Sequence, residues 1–314
     1  MNNTMIKKRR KLLLMIGFVM LVIGVGYGYQ VYTSATNTLE KMHEPIKRDT
    51  TIRKEAISVQ EKDPFSVLLL GVDERPNDVG RSDTMIVVTV NPEDNSMKML
   101  SIPRDTYVSI FGRGEKDKIN HSYAFGGVEM AVNTVESFLG IPIDYYVKVN
   151  MEGFKDVIDA LDGVTVENDM ELTHGKYHFP KGQIELTGNE ALVFSRIRYE
   201  DPRGDFGRQI RQKQIIEAII NKAANISTLW KYSDLFEAFG DNVKTNFTFS
   251  EIVELQKAYS DVRKNIEQLR FEGRDGGFIG DYWYYFADSE EVQTLSNILK
   301  EHLDLHTYNE SVGL

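Results

Sequence analysis

The chain has 314 residues, 41% of them hydrophobic and 27% charged, with no cysteine and a formal net charge of −10. This length suffices for one large domain or two small ones with a sizeable core. The lack of cysteine excludes disulfides, thiolate metal sites, a cysteine nucleophile and a lipidated N-terminal cysteine, and six histidines without a His-Glu-x-x-His spacing argue against zinc.

Charge is unevenly spread. Lys7, Lys8, Arg9, Arg10 and Lys11 carry +5 and the first acidic residue is Glu40, which leaves −15 for the remainder. An acidic body of that kind speaks against nucleic-acid binding. Residues 12–29 follow as an uncharged, largely apolar run of 18, which as a helix spans roughly 27 Å and can cross a bilayer. The run is longer than the apolar core of a cleaved signal peptide, and only a weak small-x-small site follows, around Ser34 to Thr36. The expectation is therefore an uncleaved signal anchor, with 1–11 as a cytoplasmic basic tail and everything beyond about residue 30 outside the membrane. Residues 30–64, mixed and polar, read as an extracytoplasmic stalk.

The globular part is expected from Phe65 to Leu314. Apolar runs closed by turn residues predict strands at 65–71, 84–90 and 98–102, the last two separated by Asn91-Pro-Glu-Asp-Asn95. Helical spacing follows at 128–139, a strand at 144–149, and a helix at 151–161 that Gly163 ends. Further helices are expected at 188–194, 205–224, 229–239, 250–262 and 289–303, with a late strand at 266–272. Helices alternating with near-continuous apolar strands predict a layered α-β-α domain, and because the order is not a clean βαβ repeat its central sheet should be mixed.

Residues 196–213 reverse the sign of the chain. They hold five arginines and a lysine against Glu200, Asp201 and Asp205, a local +3. Arg196 and Arg198, at i and i+2, leave an extended segment on one side. Arg208, Arg211 and Gln212 share a helix face. Guanidinium forks match phosphate or carboxylate oxygens, so converging forks suit a dianion such as a pyrophosphate. A solvated face neutralised by its own carboxylates accounts for the same composition.

Two aspartates, Asp73 after the first strand and Asp83 before the second, sit at strand edges. Without His or Cys partners they suit a hard cation completed by ligand phosphates, and equally a pair of turn formers. Ser101-Ile-Pro-Arg104-Asp105-Thr106 closes the third strand with both charges, and Lys118-Ile-Asn120-His121 follows a polar loop.

In this order, Leu-Leu-Gly-x-Asp73, Gly-Arg81-Ser-Asp83-Thr, Ser-Ile-Pro-Arg104-Asp105-Thr, Lys118-Ile-Asn120-His121-Ser-Tyr-Ala with Gly126-Gly127, and Arg196-x-Arg198 through Asp205-x-x-Arg208-x-x-Arg211-Gln212 resemble the LytR-CpsA-Psr family over about 65–224. The resemblance implies a catalytic domain outside the membrane. Its activity would be a phosphotransferase one, moving an anionic cell-wall glycopolymer, foremost a teichoic acid, from an undecaprenyl-pyrophosphate carrier to the C6 hydroxyl of peptidoglycan N-acetylmuramic acid. It further implies magnesium or manganese on Asp73 and Asp83, pyrophosphate contacts from Arg81, Arg104, Lys118, Arg196, Arg198, Arg208, Arg211 and Gln212, and Asp83, Arg104 and Asp105 at the phosphoryl centre. Arginine is a poor base, so the proton acceptor would be a carboxylate or a phosphate oxygen. A polyprenyl tail would need an apolar slot, for which Phe125, Phe138 and Phe154 lie near enough in sequence, as would any core. A membrane-tethered polyprenyl-phosphate binder without catalysis, and a hydrolase of the same lipid, are the alternatives.

Overall fold

The structure, a computed structural model, describes residues 33, 40–46, 52–53, 57–74, 78–224, 242–258, 261–273 and 276–305. The expected anchor at 12–29 and the expected helix at 229–239 lie outside the described residues. Among the described residues no helix is long and apolar enough to cross a membrane.

In chain order the strands are β1 (Phe65–Val72), β2 (Ser82–Asn91), β3 (Ser96–Ser101), β4 (Tyr107–Ser109), β5 (Lys116–Lys118), β6 (Tyr145–Asn150), β7 (Val164–Asn168), β8 (Leu172–His174), β9 (Tyr177–Phe179), β10 (Gly182–Leu186), β11 (Val243–Thr245), β12 (Ile266–Leu269), β13 (Gly276–Ile279) and β14 (Tyr282–Tyr285). The helices are α1 (His121–Leu139), α2 (Met151–Ala160), α3 (Gly188–Arg196), α4 (Asp205–Ala224), α5 (Phe249–Ala258) and α6 (Ser289–His302).

The central sheet has the order β11-β6-β1-β2-β3-β12. β1, β2 and β3 form an antiparallel meander, β6 runs parallel to β1, β12 parallel to β3, and β11 antiparallel to β6. The expected mixed sheet is therefore present. Its turn between β2 and β3 is held by the Asn91 carboxamide oxygen, which accepts from the amides of Glu93 and Asp94 at 2.9 and 3.1 Å.

Both faces of the sheet are apolar because successive residues alternate sides. Leu68, Leu70, Val72, Met85 and Val87 face α1 and α6, meeting Ala131, Val132, Val135, Leu295 and Leu299. Phe65, Val67, Ile86, Val88 and Val90 face the opposite way, onto Ile216, Ile220, Ile252 and Leu255 of α4 and α5. Burying each such side chain contributes about 1.5–3 kcal/mol, so neither layer can be removed without exposing a whole sheet face.

α4 has a second apolar side. Ile216 and Ile220 pack on the sheet, while Ile215, Ala218 and Ile219 pack into a separate cluster with Ile158, Val164, Phe179, Leu186 and Phe194 from α2, α3 and the β7–β10 unit. The arginine-bearing helix is thus wedged between two cores, which fixes both its position and its rotation.

Several short elements escape the sequence reading. The hairpins β4–β5, β8–β9, β7–β10 and β13–β14 use strands of three to five residues, too short for a periodicity to register. α1 begins at His121, not 128, and is broken at Gly126 and Gly127, whose φ of 62° is left-handed. The spacing expected from 128 is that of the continuous segment after the break. Residues 40–46, expected in a stalk, lie against the domain instead: the Glu44 amide donates to the Thr245 carbonyl at 2.8 Å and Met42 is buried with Val243.

Candidate functional site

The ends of β1 and β2 are pinned to each other by one carbonyl. The amides of Asp73 and Asp83 both donate to the Arg81 oxygen at 3.1 Å, which brings the two aspartates to the same end of the sheet. The connecting loop closes over Asp73 at Gly80, where φ is +70° and an added Cβ would lie 2.3 Å from the Asp73 oxygen. Only glycine combines that conformation with that approach.

The end of β3 is laced to the segment before α1. After Pro103, which lacks an amide proton, the Thr106 amide returns to the Pro103 carbonyl at 3.0 Å. The Arg104 and Thr106 carbonyls accept from the Asn120 and Ile119 amides at 3.2 and 2.9 Å. Arg104, Asp105, Lys118 and Asn120 are therefore held on one short stretch of backbone.

Their side chains interlock. Arg104 Nη1 lies 3.0 Å from Asp83 Oδ1 and Arg104 Nε 3.6 Å from Asp105 Oδ2, while Lys118 Nζ reaches Asp105 Oδ1 at 2.7 Å. The Asn120 carboxamide approaches Asp83 Oδ1 at 3.5 Å. From α4, Arg208 Nη2 pairs with Asp205 Oδ1 at 2.7 Å. Burial opposes the charge on Arg104, yet Asp83, Asp105 and Asp205 outweigh it and hold its pKa above the ordinary value. Arg208 goes the other way: burial lowers its pKa, and the neighbouring charges of Arg104 and Arg198 add to that against Asp205 and Asp83.

Three guanidinium groups, Arg104, Arg198 and Arg208, thus share one field with Asp83 and Asp205. The Nε atoms of Arg104 and Arg208 are buried and have no hydrogen-bond partner among the described residues. A buried donor left unmade costs about 1–3 kcal/mol, more for a charged group. Like-charged groups gathered with such donors are what an anionic ligand would satisfy.

A second arginine group lies behind the first and is saturated. The Asp201 side chain is 0% exposed and accepts from the Arg203 amide, Nε and Nη2 at 2.8, 3.0 and 2.9 Å and from Arg211 Nη1. Arg211 Nε donates to the Phe194 carbonyl at 3.0 Å and Nη2 to that of Ile197. Gly207 admits the carboxylate into the helix, since a Cβ there would sit 1.9 Å from Asp201 Oδ2. Burial alone would raise the Asp201 pKa, but the hydrogen bonds from Arg203 and Arg211 hold it down at about 2. Arg203, for which charge pattern and motif supply no role, also reaches Asp169 with Nη2 at 3.1 Å.

Of the residues expected at the site, Asp83, Arg104, Asp105, Lys118 and Arg208 come together, with Asp73 at the same sheet end and Arg198 near enough to bear on the charge of Arg208. Arg211 does not join them. It is 1% exposed and its donors are taken by protein oxygens, so the contact expected of it is corrected to a buried strut. Gln212 points its amide at the Ser195 carbonyl at 3.5 Å. Arg81 and Arg196 are exposed, and Arg196 Nη1 lies 3.2 Å from Met151 Sδ. Phe138 stacks on Phe271 and Phe154 packs in the third core, while Phe125 is 40% exposed. Asp205 and Asn120 are site residues that the charge pattern undervalued, although Asp205-x-x-Arg208 has the i, i+3 spacing of an ion pair.

Among the described residues no group of three or more His, Asp or Glu could hold a metal. Asp73 and Asp83, at one sheet end, fit a hard cation only where ligand oxygens and water complete the shell, which is how magnesium is commonly held beside phosphates.

The sequence profile of the LytR_cpsA_psr family matches residues 29–301. The chain belongs to this family. All the residues gathered at the site lie inside that match. A Bacillus cereus protein named polyisoprenyl-teichoic acid--peptidoglycan teichoic acid transferase TagU is 50% identical over 95% of this chain and 99% of its own length. The Bacillus subtilis protein of that name is 50% identical over 97% of this chain and 100% of its own. The crystal structure of B. subtilis TagU superposes with a TM-score of 0.64 at 50% identity, covering 77% of this chain and 97% of that one. A structure of TagT bound to LI-WTA gives a TM-score of 0.70 at 32% identity over 83% and 100%. This LytR-CpsA-Psr chain therefore shares both sequence and layered fold with proteins named as transferases.

Proposed function

We propose that this chain is a phosphotransferase that moves a teichoic acid from an undecaprenyl-pyrophosphate carrier to the C6 hydroxyl of peptidoglycan N-acetylmuramic acid. The observation that carries the reading is the pair of buried Nε donors on Arg104 and Arg208 without a hydrogen-bond partner among the described residues, set in one field with Arg198 and Asp83. The 50% identity to TagU over nearly the whole chain supports the choice of substrates.

In the reaction the acceptor hydroxyl forms a new P–O bond to the sugar-bearing phosphorus. The P–O–P bond breaks and the departing polyprenyl phosphate keeps the electron pair. Arg104, Arg198 and Arg208 stabilise charge on the nonbridging and leaving oxygens from fixed positions, which is the main source of catalysis in phosphoryl transfer. Arg104 cannot take the hydroxyl proton, because its neighbours raise its pKa further. The proton passes to a carboxylate of the cluster, Asp83 or Asp105, or to a phosphate oxygen. Lys118 holds Asp105 in place. A magnesium or manganese ion on Asp73 and Asp83 would supply further neutralisation of phosphate charge when bound.

The basic tail and apolar run at 1–29 support a catalytic domain outside the cytoplasm, beside a lipid-linked donor. The test is transfer from purified lipid-linked precursor to peptidoglycan by the purified chain. A phosphodiester-linked product, lost on chelation of divalent ions, is expected. Release of free polymer phosphate without linkage would identify a hydrolase, and undiminished rates in chelator would remove Asp73 and Asp83 from metal binding.

A further inference from the structure

The phosphate chemistry makes no use of the hairpin β13–β14, yet that hairpin is attached directly to the site. Its base bridges Thr106 to Tyr285, and the Tyr285 amide donates to the Asp105 carbonyl at 2.9 Å. The pairings Gly277 with Tyr284 and Ile279 with Tyr282 put both tyrosines on one face, and Phe286 continues the alternation. Tyr107 of β4 stands edge-on to Tyr284 and Phe286, with ring centroids 5.1 and 6.0 Å apart. Gly277 leaves room for this: a Cβ there would be 3.2 Å from the Phe286 ring.

Tyr107, Tyr284 and Phe286 make one ring cluster, and Tyr282 stands on the same strand face. Tyr282 is 67% and Phe286 38% exposed, and the hydroxyls of Tyr107 and Tyr282 have no hydrogen-bond partner among the described residues. Contiguous exposed apolar surface of this kind marks a binding site. Cations line its inner edge: Lys118 Nζ, paired with Asp105, is 5.4 Å from the Tyr284 ring, and Lys116 Nζ is 5.8 Å from that of Tyr107.

Resting on the transferase reading above, we propose that Tyr107, Tyr282, Tyr284 and Phe286 form the docking platform for the acceptor saccharide, a strand of N-acylated pyranoses. A pyranose has a C–H face suited to an aromatic ring and a rim of hydroxyls suited to phenol groups, and tyrosine supplies both. Contacts run in order from Arg208 and Arg104 through Asp105 and Lys118 to Tyr284. The platform thus adjoins the Arg104–Asp105–Lys118 end of the cluster, within reach of a saccharide whose hydroxyl enters the site. A bilayer surface is the less suitable occupant. Asp117, which accepts from Tyr284 at 3.4 Å, Asp105 and the Asp281 of the hairpin tip present anions where anionic lipid would meet them.

The probe is a short, soluble, uncross-linked peptidoglycan glycan strand, offered to the full-length chain without donor and then as acceptor in transfer. Tyr282→Ala is expected to raise its Kd and the acceptor KM about tenfold, equivalent to about 1.4 kcal/mol, with the donor KM unmoved and Tyr282→Trp restoring affinity. Unchanged glycan affinity in a Tyr282→Ala, Phe286→Ala double variant that still transfers would overturn the platform and leave the transferase standing. Tyr282-dependent glycan binding by a chain that transfers nothing would do the reverse. Quenching by brominated phosphatidylglycerol bilayers of the indole introduced by Tyr282→Trp, beyond that of the unaltered chain, together with glycan affinity indifferent to Tyr282→Ala, would assign the surface to the membrane instead.

Discussion

Two arginine groups lie within a few residues of each other and have opposite characters. Around Asp201, Arg203 and Arg211 spend their donors on two carboxylates, Asp201 and Asp169, and two main-chain carbonyls. Around Asp83, Arg104 and Arg208 each keep a buried Nε with no hydrogen-bond partner among the described residues. The residue type is the same and the burial comparable. What separates a structural cation from a ligand-binding one here is how many of its donors the protein itself satisfies.

The largest effect that could break this comparison is at Arg211. Arg211→Ala takes one of the two cations from the buried Asp201 carboxylate and leaves the Phe194 and Ile197 carbonyls without their donor, which should cost about 3 kcal/mol, read as a lowered denaturant midpoint; a midpoint close to that of the unaltered chain would dissolve the distinction. Arg104→Ala should behave in the converse manner. It removes a half-buried cation whose Nε no protein group hydrogen-bonds among the described residues and should lower the midpoint less than Arg211→Ala does, while turnover falls by about 10²–10³, the scale of losing one preorganised donor to developing charge. A variant that unfolds, or one that transfers at an ordinary rate, would count against it.

Acid sharpens the contrast further. The Asp201 pKa is held at about 2 in the folded chain, below the unfolded value near 4, so the unfolded state takes up the proton first. The stability this carboxylate contributes is present above pH 4 and lost as pH falls toward 2, amounting to about 2 kcal/mol. Asp201→Asn should flatten that part of a stability profile, and Arg104→Ala should not. The smallest effect is expected at the rim. Arg196→Ala removes an exposed side chain and should lower the affinity for a pyrophosphate probe less than tenfold, since solvent-exposed charges interact weakly; a larger loss in a binding titration would move Arg196 into the cluster.

Much of this was legible from the residues. The near-continuous apolar runs at 65–71 and 84–90 announced a sheet buried on both faces, and the motifs at strand ends marked Asp83, Arg104 and Lys118 as neighbours. Arg211 was misjudged because helical spacing places it near Arg208 but says nothing of Asp201, whose carboxylate enters beside Gly207 from outside the helix. Arg203 went unexplained for the same reason: its partners, Asp201 and Asp169, are a close turn and a distant loop. The aromatic hairpin was missed because two strands of four residues, β13 and β14, carry too little pattern to separate from a loop.

The wedging of α4 between two cores, together with the Asp201 hub at its start, has a consequence for recognition. An arginine confined only on binding surrenders rotamer freedom worth about 2 kcal/mol, which subtracts from affinity. Arg208, 8% exposed and already tied to Asp205, has given up that freedom during folding. Loosening the helix by trimming Ile215 or Ile216 should therefore weaken anion capture from a distance, through disorder imported into a side chain whose chemistry is untouched.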